Sequence, residues 1–152
     1  MKHEANVRWA GRMTFIGKAG TNHLVPMDTT PEFGGDSSAT KPLELLLLGL
    51  GGCTGMDVAS VLKKMRQDFT GIEMNITAER SEEHPTPYTK IDLEYVIYGR
   101  GMDEEKVKRA VELSQEKYCS VSAMLRKACP VNYTVSVVEQ RPTDRTAGST
   151  GK

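Results

Sequence analysis

Apolar residues along this chain recur with two different spacings, and the change of spacing marks out the elements. From Asn6 to Gly17, Val7, Trp9, Met13 and Phe15 alternate with Arg8, Arg12 and Thr14, the pattern of a strand with one dry face. Gly20, Thr21 and Asn22 read as a hairpin turn, and His23 to Asp28 as the partner strand, which Pro26 confines to an edge or a bulge. Thr29 to Thr40, TTPEFGGDSSAT, has no periodicity and reads as a loop. The spacing then becomes helical from Lys41 to Met65, KPLELLLLGLGGCTGMDVASVLKKM. Pro42 suits the first helical position, and Glu44 follows in the first turn, where the helix dipole favours an anion. Leu43, Leu45 to Leu48 and Leu50 are apolar on nearly all sides, which predicts a buried core helix.

Period two returns at Ile72, Met74, Ile76 and Ala78, and again at Ile91, Leu93, Tyr95 and Ile97, with SEEHPTP as the turn between two antiparallel strands. Asp103 is a good N-cap for DEEKVKRAVELSQEKY, and Ser120 could cap a second short helix, VSAMLRKA, with Cys119 at its start. Val131, Tyr133, Val135 and Val137 form a final strand. The fold class is therefore α+β, an antiparallel sheet with a long buried central helix. Residues 1–139 are expected to be one domain, and 140–152 a flexible polar tail. One small sheet cannot cover a helix that is apolar all round, so its glycine-rich side is expected to meet another subunit.

Composition narrows the function. The chain has 152 residues, with 20 Lys and Arg against 20 Asp and Glu, a balance that argues against a nucleic-acid or anionic-membrane partner. No uninterrupted apolar run reaches about 18 residues, and the polar start MKHEANVR does not resemble a signal peptide, so a cytoplasmic location is expected. Cys53, Cys119 and Cys129 lie far apart, and in a reducing compartment their reactivity matters more than a disulfide framework.

A lone cysteine in an apolar helix is usually a small buried hydrophobe. Cys53, however, is surrounded by Gly49, Gly51, Gly52 and Gly55, each costing roughly 1 kcal/mol against alanine inside a helix. That cost calls for another backbone in close approach, or for room beside the thiol. Cys119 at a helix start would sit in partial positive charge, which favours a thiolate. Cys129, before Pro130, is given no role. No Cys or His pair has zinc spacing, so no metal is expected.

GGCTGMDV on a central helix preceded by KPLELLLLGL, with a second cysteine in EKYCSVSAML, resembles the osmotically inducible protein C and organic hydroperoxide resistance (OsmC/Ohr) superfamily, most closely its YhfA-like branch. The resemblance runs from about Val7 to Val138. It implies an intertwined homodimer and, in the better-known branches, a thiol peroxidase that reduces organic hydroperoxides through a disulfide between its two cysteines. Those branches place an arginine and a glutamate beside the thiol. Here Arg12, in WAGRMTF, resembles the arginine that some members carry on the first strand. Glu44 lies one place from the glutamate of the organic hydroperoxide resistance type, which would fall on Leu43.

Carried onto this chain, the resemblance makes Cys53 the nucleophile, stabilised by Arg12, and Cys119 the thiol that resolves its sulfenic acid. Met56, Met13 and Phe15 are candidate lining for an apolar peroxide. Glu44 and Cys53 are nine residues apart, about 13 Å along a helix and nearly on opposite faces, so Glu44 would have to act across a two-fold interface. No bound cofactor is expected, only an external dithiol reductant. The alternative is a non-enzymatic or redox-sensing homodimer that binds an apolar small molecule in the same cleft.

Overall fold

The computed structural model describes residues 1–140. The chain divides into two compact units, Met1–Leu48 and a second that begins at Gly49. The expected C-terminal tail lies outside the described residues except for Gln140, whose N–H donates to the Gly99 carbonyl at 2.8 Å.

The first unit holds a three-stranded antiparallel sheet in the order β1 (Asn6–Gly11), β2 (Thr14–Lys18), β3 (Leu24–Met27). The single strand expected over Asn6 to Gly17 is in fact a hairpin. Gly11 has φ +111° and Arg12 φ +47°, and these left-handed residues turn the chain, leaving Trp9 opposite Phe15. Arg12 therefore sits in a turn rather than on a strand. Nor is the apolar face dry, since Val7, Trp9, Phe15, Leu24 and Val25 are all exposed in the single chain. Pro26 lies on an edge strand, where its missing N–H costs no ladder bond.

The loop after β3 is more organised than its composition suggests. Its pivot is Asp28, only 2% exposed, whose carboxylate accepts from the N–H groups of Thr29, Asp36 and Ser38 and from the Ser38 hydroxyl at 2.6 Å. A short 3-10 turn, Pro31–Phe33, lies within that cage. Gly35 is required there, because a Cβ on it would meet the Thr29 carbonyl oxygen at 2.0 Å.

The long helix α1 spans Glu44–Lys64. Its entry is a tight turn with Leu45 N–H bonded to the Pro42 carbonyl, and the Glu44 carboxylate reaches back to the Lys41 N–H at 3.3 Å, half of a capping box. The leucine-rich first turns are not buried within the chain. Leu46 and Leu48 are 45% and 61% exposed, and full burial begins at Leu50. As formed, α1 is 21 residues long and contains an 18-residue stretch with a mean hydropathy of 1.7, long and apolar enough by length and composition to cross a membrane. Counting uninterrupted apolar runs misses this, because glycine, threonine and serine dilute the run without making it hydrophilic. From Gly49 onward the helix packs instead on a sheet, burying Leu50, Thr54, Val58, Val61 and Leu62.

That sheet has the order β4 (Asp68–Arg80), β5 (Tyr88–Arg100), β6 (Val131–Glu139). β4 and β5 are antiparallel in the register that alternation implies, with Ile72 opposite Ile97, Met74 opposite Tyr95 and Ile76 opposite Leu93. β6 runs parallel to β5, so the sheet is mixed, not wholly antiparallel. The reason lies in the connection: α2 (Glu104–Leu113), a π-helical turn (Ser114–Tyr118) and α3 (Ser120–Leu125) return the chain to the same end of the sheet. Asp103 caps α2 as expected, accepting from the N–H groups of Glu105 and Lys106.

Candidate functional site

Two of the four glycines around Cys53 are explained by packing on β4. A Cβ on Gly51 would lie 3.1 Å from Ile76 Cδ1, and one on Gly55 2.7 Å from Met74 Cε. They let α1 settle on the sheet. Gly49 and Gly52 face open space in the single chain.

On this seated stretch, Cys53 and Asp57 stand four residues apart and share a helix face. The third member comes from the crossover. The wider π-helical turn aims Ser114 and Gln115 inward and ends with the Cys119 N–H on the Ser114 carbonyl at 2.8 Å. Cys119 itself, rather than Ser120, is the N-cap of α3, its sulfur accepting from the Ser122 N–H at 3.4 Å. The Cys53 Sγ, the Cys119 Sγ and an Asp57 carboxylate oxygen all lie within 4.8 Å of one another. All three cysteines are free. Cys119 is 3% exposed and Cys53 only partly covered.

Burial pushes the Cys119 thiol above its ordinary range and the neighbouring Cys53 adds to the rise, outweighing the contacts with Ser122 that pull it down. The helix-start argument for a Cys119 thiolate is thus overturned: desolvation beats one short helix's dipole. Cys119 is a buried, neutral thiol beside a more accessible one.

Beneath the thiols runs a buried polar chain. Arg126 donates to the Gln115 main-chain carbonyl at 2.7 Å and to its Oε1 at 2.8 Å, which fixes the amide so that Nε2 faces the Tyr95 hydroxyl at 2.6 Å and Thr54 Oγ1 at 3.3 Å. Tyr95 and Thr54 are 2.6 Å apart, Thr54 and Ser114 Oγ 2.7 Å, and Ser114 Oγ lies 3.1 Å from Asp57 Oδ2. An amide nitrogen only donates and a carboxylate only accepts, so the protons point one way: Gln115 to Tyr95 to Thr54 to Ser114 to Asp57. Burial raises the Tyr95 hydroxyl's pKa against the lowering effect of its bonds to Thr54 and Gln115, keeping it a neutral member of the chain. Edge-on packing against Tyr133, 6.1 Å between ring centres, holds its ring.

Sequence reasoning missed Asp57, Ser114, Gln115, Tyr95 and Arg126 as site residues. Only the Cys53, Asp57 spacing could have pointed to any of them. Of the anticipated residues, Cys53 and Cys119 are brought together. Arg12 is seen in its own unit, paired with Asp36 at 2.6 Å, with the Gly34 carbonyl at 3.4 Å and with its own carbonyl accepting from Trp9 Nε1 at 2.7 Å. Glu44 caps its helix. Met56 is 76% exposed. A groove lined by Lys108, Arg109, Glu112 and Tyr133, and another lined by Asn75, Lys90, Asp92 and Asn132, include neither thiol.

The family model for OsmC-like proteins matches residues 34–134. Protein YhfA of Escherichia coli K12 is 42% identical over 135 residues, covering 89% of this chain and 98% of its own. A solved structure from Aquifex aeolicus VF5 is 30% identical with a TM-score of 0.81, over 93% of this chain and 99% of that one. An organic hydroperoxide resistance protein from Legionella pneumophila shares the fold at 17% identity and a TM-score of 0.68, over 90% and 98% of the two chains. With a match that spans both cysteines, and a relative this similar along nearly its whole length, the chain belongs to the OsmC-like protein family.

Proposed function

We propose that this protein is a thiol-dependent peroxidase that reduces organic hydroperoxides. The observation that carries the reading is the pair of free thiols, one accessible and one buried, with sulfurs within 4.8 Å. Cys53 as thiolate attacks the outer oxygen of the O–O bond, giving a sulfenic acid and an alkoxide that leaves as the alcohol after protonation. Cys119 then attacks the Cys53 sulfur. The S–S bond forms, and the sulfenic hydroxyl leaves as water with the Cys119 proton. An external dithiol restores both thiols. The raised pKa of Cys119 supports this division of labour, since the group that stays protonated is the poorer first nucleophile.

Arg12 as the cation at the thiolate, Glu44 acting from a neighbouring copy, and the homodimer itself belong to the same reading. The open glycines Gly49 and Gly52 and the exposed Leu46 and Leu48 support the dimer. The test treats reduced protein with one equivalent of cumene hydroperoxide and maps its disulfides by mass spectrometry. A Cys53–Cys119 bridge is expected, with turnover by a dithiol that Cys53→Ser abolishes. A bridge to Cys129, or none, overturns the assignment. Arg12→Met should shift the pH profile of Cys53 alkylation upward, and Glu44→Gln mixed with Cys53→Ser should recover activity in refolded heterodimers. An unchanged profile or no recovery removes those residues from the site.

A further inference from the structure

The cluster that places two thiols together also contains Asp57, for which disulfide chemistry has no use. We propose that Cys53, Asp57 and Cys119 of the reduced protein bind a thiophilic divalent cation, zinc foremost. The inference goes beyond the peroxidase reading and does not depend on it.

Its first support is distance. Bond lengths of about 2.3 Å to sulfur and 2.0–2.2 Å to oxygen set neighbouring ligand atoms roughly 3.5–3.8 Å apart on a tetrahedral ion. The three atoms here already lie within 4.8 Å of one another, so the site closes by an adjustment of roughly an ångström, within reach of side-chain rotation. Two ligands stand on one face of a single helix and the third on the capping residue of another, a rigid frame. Spacing along the sequence hides this site, because its ligands are four and 62 residues apart.

The second support is the surrounding shell. Ser114 Oγ donates to Asp57 Oδ2 at 3.1 Å, and the polar chain behind it fixes that proton, the arrangement that orients a ligating carboxylate. Next to Cys119, Ser122 is fully buried, and both its N–H, at 3.4 Å from the sulfur, and its hydroxyl face that thiol. Both groups are donors that would support a Cys119 thiolate held by a metal. Cys53 and Asp57 are partly exposed, which gives the ion a way in and leaves a fourth position to water. Two thiolates and one carboxylate select zinc or a softer ion over magnesium and calcium, which take oxygen ligands.

The test titrates the reduced full-length protein with Cd2+, following the ultraviolet thiolate-to-cadmium charge-transfer band, and then displaces it with Zn2+. Saturation at one ion per chain is expected. Cys53→Ser and Cys119→Ser should each abolish the band, Asp57→Asn should weaken binding about 10- to 100-fold and Ser114→Ala about tenfold, while Cys129→Ser changes nothing. Circular dichroism of each variant checks its fold, and alkylation of Cys53 in the otherwise unaltered protein repeats the cysteine test without a substitution. A band that survives Cys119→Ser, depends on Cys129, or persists undiminished in disulfide-oxidised protein overturns the site. Failure here leaves the peroxide-driven disulfide standing, since that is read by mass spectrometry and this by absorbance.

Discussion

The two ends of α1 both carry apolar residues and meet opposite fates. Leu50, Val58 and Leu62 are fully buried, whereas Leu46 and Leu48 are exposed in the single chain. The two sheets repeat the contrast. Ile91, Leu93, Tyr95 and Ile97 on β5 are covered, while Val7, Trp9 and Phe15, with the same alternation, are not. Period tells which face of an element is apolar, but not what covers it. Covering is supplied where an intrachain partner has the matching shape, as where Gly51 and Gly55 meet Ile76 and Met74. Elsewhere the apolar face is exposed in the single chain.

The largest effect that can test this contrast is a truncation in the covered half. Leu62→Ala should lower stability by about 2–5 kcal/mol, read by urea unfolding, and Leu48→Ala in the monomeric chain by about 0.5 kcal/mol or less. Equal losses would show that the two halves are not differently covered. Next comes a charge on the open face. Leu48→Asp should keep the helical circular dichroism but weaken self-association in sedimentation, and unchanged sedimentation would remove this face from any interface.

The glycines sharpen the comparison at smaller cost. Gly52→Ala, with nothing within 4 Å of the added Cβ, should stabilise the chain by up to about 1 kcal/mol. Gly51→Ala gains the same propensity but must push Ile76 aside, so its net effect should be smaller or reversed. If Gly52→Ala instead destabilises at concentrations where the protein associates, a second backbone lies there.

The smallest effects are pH-linked, one in each unit. The Asp28 carboxyl is held well below the usual carboxylate range, first by the Ser38 hydroxyl and then by main-chain N–H groups. A lowered folded pKa contributes stability that is full above the unfolded value of about 4 and is lost as pH falls below it toward the folded one. Asp28→Asn should therefore flatten the acid limb of the stability curve. Cys119 has the opposite sign. Its raised folded pKa contributes stability that is full below the ordinary thiol value of about 8.5 and is lost as pH rises through the folded one. Cys119→Ser should flatten the alkaline limb of the reduced protein, and an unchanged limb would mean that the thiol is not desolvated.

The sequence by itself determined the elements whose signals are local: the β4–β5 register through alternation, the α2 cap through Asp103, the edge position of Pro26, and the α+β class with one long helix. It also marked Cys53 through its glycines and Cys119 through its own short motif. Tertiary structure decided what depends on distant partners. It turned Gly11 and Arg12 into a hairpin, which strand alternation masked, and it set β6 parallel to β5, because that direction follows from how the crossover packs. It also gathered Asp57, Ser114, Gln115 and Tyr95 beneath the thiols. Of those four only Asp57 has a local signature, its spacing of four from Cys53, since a buried polar chain exists only once residues as far apart as Thr54 and Ser114 are within 2.7 Å. The sign of the Cys119 shift was likewise out of reach. A helix start can be read from neighbours in sequence, but the burial that outweighs it is supplied by the rest of the fold.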